Sequence, residues 1–321
     1  MFTSRPKPTT ASLGPMKQYA TRGENIPLQK NWMETWCTLP EAFDVYLQEI
    51  LEFEVRKDDV FVVTFMKCGT TWMQETAWLL MNNLDFDKSK REFLLDRSVF
   101  IENHGVVKGT PNGVKLSQKI PSPRLLKSHL PASLLPQQVW QRKQKIIYVA
   151  RNCKDVVVSS YHFIKSLRLW QGDNLEDYVN DFINSEVNYS SYWTHIIDFW
   201  QMRNEPYICF VTYEDMKRDL TGVIERLCTF LERPQLTAEE MENILQHLSF
   251  ESMKENDKTN LTMTLKDCVE DINKDFQFMR RGIVGSFKDE LTPDLKSKID
   301  NWSQNFLVPY GLTEEDIFGK L

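Results

Sequence analysis

Lys127 and His129 stand two residues apart in Arg124-Leu-Leu-Lys127-Ser-His129-Leu-Pro131. Pro131 favours extended backbone at Leu130, and in an extended chain residues i and i+2 point to one side. The ammonium and the imidazole therefore project together. An imidazole titrating near neutrality is suited to take a proton from a hydroxyl, so His129 is a candidate general base. A second cluster reads Thr64-Phe65-Met66-Lys67-Cys68-Gly69-Thr70-Thr71-Trp72. It sets a one-glycine turn between an apolar run and a helical pattern. Free N–H groups at such a turn, the helix dipole, Lys67 and two threonine hydroxyls form a cradle for an anion. This is not the Gly-x4-Gly-Lys-Ser/Thr loop of nucleoside triphosphatases, because the lysine precedes the glycine and the loop is shorter. Nor does an aspartate at a strand end stand out as a magnesium ligand.

These groups need a frame that holds them together. Val60-Phe-Val-Val-Thr-Phe65, Lys145-Ile-Ile-Tyr-Val-Ala150 and Tyr207-Ile-Cys-Phe-Val-Thr-Tyr213 are continuous apolar runs, as in strands of a parallel sheet buried on both faces. Helical patterns lie between and after them, at residues 72–81, 189–202, 220–231, 238–248 and 295–306. Strands alternating with helices predict a three-layer α/β/α domain with a mainly parallel sheet, whose ligands bind at the carboxyl ends of the strands. Residues 1–25 are polar and hold Pro6, Pro8, Gly14, Pro15 and Gly23, which predicts a flexible lead-in to a single domain over 26–321.

The 321-residue chain is 41% hydrophobic and 12% aromatic, enough for a large core and an aromatic-lined pocket. Its net charge of −6 disfavours general nucleic-acid binding, while a few local cations still suffice for a small anion. Six cysteines without paired spacing read as reduced thiols rather than a disulfide frame or a metal site. The N-terminus lacks the apolar stretch of a secretory signal, and no run is long enough to span a membrane. A soluble, cytoplasmic protein is expected. His104, His195 and His247 are read as structural.

Five segments, in order along residues 60–290, resemble the cytosolic sulfotransferase family. The loop at 64–72 is similar to that family's 5′-phosphosulfate loop, Tyr-Pro-Lys-Ser-Gly-Thr-Thr-Trp, with Phe65-Met66 for Tyr-Pro and Cys68 for Ser. Arg124–Pro131 resembles its catalytic strand. Arg151-Asn-Cys-Lys-Asp155 with Val156–Phe163 resembles its 3′-phosphate segment. Tyr213-Glu-Asp-Met216 and Phe278-Met-Arg280-Arg281-Gly282 resemble two later signatures. The resemblance implies transfer of a sulfuryl group from 3′-phosphoadenosine 5′-phosphosulfate to a small apolar hydroxyl compound, with no metal. It implies that Lys67 steadies the leaving oxygen, Lys127 contacts the transferring group and His129 is the base. Cys68, Gly69, Thr70 and Thr71 would surround the 5′-phosphate, while Arg151, Ser159, Arg280, Arg281 and Gly282 would hold the 3′-phosphate. Trp72 and Phe250 would sandwich the adenine, with Tyr213 bonding its edge. Phe163 and Phe100 would line the acceptor side, with Trp170 a further candidate.

The departures carry expectations of their own. Cys68, at a helix N-terminus beside Lys67, is expected to have a lowered pKa, so that oxidation or alkylation blocks donor binding; the alternative is that it fills the space of Ser. Leu248, in His247-Leu-Ser-Phe250, stands where relatives carry a threonine that touches the adenine. The family's dimer motif is only partly matched, by Lys288 and Thr292 but with Pro293 and Ser297 at its other positions, which leaves a homodimer open. Residues 92–123 are expected to form a mobile acceptor-side lid. Two other classes remain: a magnesium-dependent nucleotide kinase, and a nucleotide-binding sensor or scaffold, which would need no base.

Overall fold

The computed structural model describes residues 1–7, 15–106, 109–269 and 271–320. Among the described residues there are eight strands: β1 (Phe2–Lys7), β2 (Met16–Thr21), β3 (Cys37–Pro40), β4 (Val60–Thr64), β5 (Ser98–Phe100), β6 (Leu125–Ser128), β7 (Lys145–Ala150) and β8 (Ile208–Thr212). The last five form one parallel sheet in the order β5-β6-β4-β7-β8. Every residue of β4 is buried, which is why the run is apolar without alternation. Its side chains divide by parity. Val60 and Val62 join a core under the helices Thr70–Met81, Leu220–Phe230 and Ala238–His247. Phe61 and Val63 join the opposite core, with the helices Cys153–Ser166, Tyr192–Gln201 and Pro293–Leu307. The result is the expected three-layer α/β/α arrangement.

All five strands run the same way, so their carboxyl ends share one edge. Each delivers a polar or aromatic group there within two residues of its end: Glu102 after β5, His129 after β6, the 65–69 loop after β4, Arg151 after β7 and Tyr213 after β8. Register fixes neighbours. Val63 pairs with Ser128, so Thr64 and His129, the next residues of each chain, come side by side.

The N-terminus differs from the expected lead-in. β1, β2 and β3 form a three-stranded antiparallel sheet. Met16, Tyr19 and Ala20 are buried, and the Tyr19 hydroxyl donates to Asp44 Oδ1 at 3.0 Å. Pro6 sits in β1, an edge strand, where a missing N–H need not break a ladder. Within this stretch residues 8–14 lie outside the described part. The 92–123 segment also holds more regular structure than a lid implies: β5, and the helices Leu94–Arg97, Asn103–Val106 and Gly113–Lys119.

Candidate active site

Gly69 opens the anion cradle. It adopts φ +96°, and a Cβ there would come within 2.7 Å of the Tyr213 ring, so both backbone and packing require glycine. The helix Thr70–Met81 follows with no side chain capping its first N–H groups, which leaves them able to meet an anion. Lys67 also has positive φ, at 65°. Its Nζ lies 4.1 Å from the Phe163 ring centroid and 4.7 Å from that of Phe278. Burial, then the charges of Arg151, Lys127 and Arg280, push this lysine down to about 7. Such mutual repulsion among cations is relieved by an anion placed between them.

The His129 ring is held from β4. His129 Nδ1 lies 2.9 Å from the Thr64 carbonyl and 3.1 Å from Thr64 Oγ1. A carbonyl can only accept, so Nδ1 carries the proton and Nε2 keeps its lone pair. Burial, with Lys127 next, holds the imidazole well below its ordinary value and hence neutral. Phe100 and Tyr189 flank the ring edge-on, at centroid distances of 5.2 and 5.4 Å. Lys127 Nζ lies 4.1 Å over the Phe100 ring. Thr64 Oγ1 also meets Thr70 Oγ1 at 2.7 Å, which ties His129 to the start of the helix Thr70–Met81.

On the far side, Arg151 joins two loops. Its Nη1 donates to the Lys67 carbonyl at 3.3 Å and its Nη2 to the Ile283 carbonyl at 3.1 Å. Asp155 accepts from Gly285 N–H, Ser286 Oγ and Phe287 N–H at 2.8–3.1 Å, and so fixes the end of the arginine loop. Arg280 pairs with Glu290 and Arg281 with Asp289, each at 2.6 Å. Helical spacing puts Ser159, His162, Phe163 and Ser166 on one face of Cys153–Ser166, toward the same cavity.

That cavity measures about 510 Å³. Every candidate residue from the motifs lines it except Cys68; Leu248 lines it as well. Cys68 faces the core instead, fully buried, and burial pushes its thiol up rather than down. The reactive thiol expected from its position is therefore corrected: burial in the core outweighs the pull of the Arg151 charge. Trp170 is corrected too. It is buried among Tyr161 and Tyr178, bonds Asp181 Oδ2 at 2.8 Å and does not line the cavity. The three histidines read as structural are tied into the fold: His195 bonds Tyr148 and the His129 carbonyl, His247 meets Glu75, and His104 Nδ1 accepts from the Gly113 N–H. Cys37, Cys68, Cys153, Cys209 and Cys228 are free thiols, while the side chain of Cys268 lies outside the described part. Thr292 caps the helix Pro293–Leu307 and Pro293 takes its first turn, a position suited to proline.

Thr64, Glu102, Tyr189, His162 and Glu290 were not singled out by sequence. Only Thr64 left a signal there, as the last residue of a strand entering the anion loop. Among the described residues no group of three or more His, Cys, Asp or Glu is placed to hold a metal ion.

Crossed with known proteins, the arrangement has clear counterparts. The sulfotransferase domain family matches residues 57–311. Sulfotransferase 1E1 of Bos taurus is 37% identical over 278 residues, covering 86% of this chain and 88% of that protein. Luciferin sulfotransferase of Photinus pyralis is 33% identical over 293 residues, covering 85% of this chain and 78% of its own. A crystal structure of retinol dehydratase in complex with androsterone and the inactive cofactor PAP shares the fold, with a TM-score of 0.85, 22% identity and 98% of both chains covered. The chain belongs to the sulfotransferase family. No helix among the described residues is long and apolar enough to cross a membrane.

Proposed function

We propose that this sulfotransferase moves a sulfuryl group from 3′-phosphoadenosine 5′-phosphosulfate to the hydroxyl of a small apolar acceptor, a phenol, steroid or terpenoid alcohol, with His129 as general base. The carrying observation is that a neutral His129, its Nε2 free, shares one cavity with Lys67, Lys127 and the anion loop. The donor fits these residues: Lys67, Lys127, Arg151, Arg280 and Arg281 all line the cavity, helix N–H groups are uncapped, and Gly282 leaves room for the Phe250 ring where a Cβ would meet it at 2.2 Å.

When bound, the donor supplies the sulfuryl group and leaves negative charge on its 5′-phosphate. Thr70, Thr71 and the loop N–H groups hold that phosphate; Lys67 steadies the bridging oxygen as its bond to sulfur breaks. Arg151, Ser159, Arg280 and Arg281 hold the 3′-phosphate, and Trp72 and Phe250 stack the adenine. His129 Nε2 takes the acceptor proton as the acceptor oxygen bonds sulfur, and Lys127 offsets charge on the transferring group. Leu95, Phe100, Val106, Phe163 and Leu169 line the cavity with apolar surface, which favours a bulky acceptor with one reacting hydroxyl. A cytoplasmic location accords with this chemistry.

The test is transfer of labelled sulfate to a panel of phenols, sterols and terpenoid alcohols with EDTA present. His129→Ala should lose about 10²–10⁴ in kcat, the usual share of a general base, while keeping affinity for adenosine 3′,5′-bisphosphate. With His129 held below its ordinary value, acid loss of kcat should begin below pH ~6.5, the unperturbed imidazole value. Equal turnover by His129→Ala and wild type would remove the base from this reading. Tight bisphosphate binding with no acceptor turned over by wild type would favour the sensor class.

A further inference from the structure

We propose that Glu102 is a positioning residue of the transfer reaction: its carboxylate pins the backbone of His129 and places a buried acidic group at the end of the strand that pairs with Lys127. The inference rests on the sulfuryl-transfer reading for its consequence, but its geometry stands alone. Glu102 follows β5, the edge strand whose Phe100 pairs in register with Lys127. It is fully buried. Its Oε1 accepts from Ser128 Oγ at 3.1 Å and from the His129 backbone N–H, while Oε2 meets no partner among the described residues. A carboxylate buried with half of its acceptor capacity unused is expensive, and a nearby cation is what makes its charge tolerable.

The groups facing it identify that cation. Cys37, on β3, and Tyr189, in the loop before Tyr192–Gln201, are both pushed well above their ordinary values by burial and by the Glu102 charge, so both stay neutral. Lys127 remains. Burial pushes it down to about 8, against the upward pull of Glu102. Burial pushes Glu102 up to about 7, against the hydrogen bonds from His129 and Ser128 and the charge of Lys127. Each partner thus favours the charged form of the other. The need is sharpest during transfer. His129 gains a proton beside Lys127 and Lys67, both of which disfavour its charged form. A carboxylate that accepts directly from the His129 backbone N–H lessens that cost without touching the substrate.

Glu102→Gln tests the charge alone, since the amide oxygen can accept from the same two donors. Competitive acetylation with acetic anhydride, read by mass spectrometry as a function of pH, gives the Lys127 titration without turnover. In Glu102→Gln its midpoint should fall from about 8 by roughly one unit or more, the usual effect of losing a close opposite charge. The alkaline limb of kcat should move the same way, so that a one-unit fall lowers kcat about twofold at pH 7 and about fivefold at pH 8. Bisphosphate affinity, set by other residues, should stay within about twofold by calorimetry. A folded Glu102→Gln whose Lys127 midpoint stays at the wild-type value overturns the proposal, whatever happens to KM. If that variant is insoluble, Lys127→Gln reads the same coupling from the other side: isotope-edited infrared should show the Glu102 carboxyl titrating at higher pH, and an unchanged Glu102 is again fatal. Wild type that labels as expected but transfers no sulfate would count against the transfer reading and leave the coupling standing.

Discussion

Gly282 is the position where one added carbon should separate donor binding from the rest of the fold. A Cβ built there would lie 2.2 Å from Phe250 Cδ2 and 2.5 Å from Cε2, on backbone at φ +65°. Left-handed backbone costs a non-glycine residue ~1–2 kcal/mol, and the ring cannot remain in place at that separation. The cheaper relief is for Phe250 to rotate away, because it opens a half-buried helix, Phe250–Glu255, rather than a core element. Phe250 is the proposed outer face of the adenine sandwich. Losing one stacking face is worth ~1–3 kcal/mol, or about a 5- to 150-fold weaker Kd.

Isothermal calorimetry with adenosine 3′,5′-bisphosphate would measure this on Gly282→Ala, Phe250→Ala and the double variant. If the methyl acts by displacing the ring, the double variant should bind no worse than Phe250→Ala, a coupling energy close to the whole single-variant loss. Independent losses that add would show that Gly282 serves the phosphate and not the ring. Wild-type affinity in Gly282→Ala would refute the steric argument itself.

Two further outcomes follow from burial. Cys68→Ser should change bisphosphate affinity by less than about twofold, and iodoacetamide should leave Cys68 unmodified at pH 8 by mass spectrometry, because a buried thiol pushed upward holds little thiolate; a modified Cys68 with binding blocked would overturn this. Glu75 is fully buried, where burial pushes its carboxyl up, yet the hydrogen bonds and charges of His247 and Arg97 outweigh that and hold it below the ordinary value. Its stabilisation is therefore complete above the ordinary carboxylate pKa of ~4.5 and lost as pH falls through the depressed one. Glu75→Gln should cost up to ~3–5 kcal/mol by urea unfolding at pH 7, with a flatter loss of stability toward acid, and an unchanged acid slope would show that other carboxylates carry it.

Where both faces of a strand are buried, the sequence has little freedom, and β4, β7 and β8 were readable to within a residue or two as uninterrupted apolar runs. The helix at 72–81 begins two residues earlier than its apolar pattern, at Thr70, because the turn at Gly69 and not periodicity starts it. β5 was missed: three residues carry no period. β1 and β2 were read as a lead-in, since prolines and glycines weigh against strands in any window that cannot know which edge faces solvent. The charged and hydroxyl groups that line the cavity were legible because they cluster on short loops at strand ends. The error at Cys68 has the same root. Position in a loop predicts which residues are near a ligand, but not which way each side chain points.

The residues that sequence did not offer are those whose importance comes from register. Thr64 meets His129 because β4 and β6 pair with Val63 opposite Ser128; a slip of one residue would put a valine there and leave Nδ1 without its acceptor geometry. Glu102 reaches the His129 backbone because β5 pairs with β6 at Phe100 and Lys127 and the chain then turns inward by two residues. Neither contact joins residues near in sequence, since the separations are 65 and 27. Composition cannot encode them, whereas a parallel sheet encodes them twice, once through each neighbour of β6. The same pairing that buries the core therefore sets the tautomer of His129 and the carboxyl group beside it. A substitution that shifts the register of β5 or β4 should impair transfer before it unfolds the protein, because the site uses single hydrogen bonds where the core has many redundant contacts.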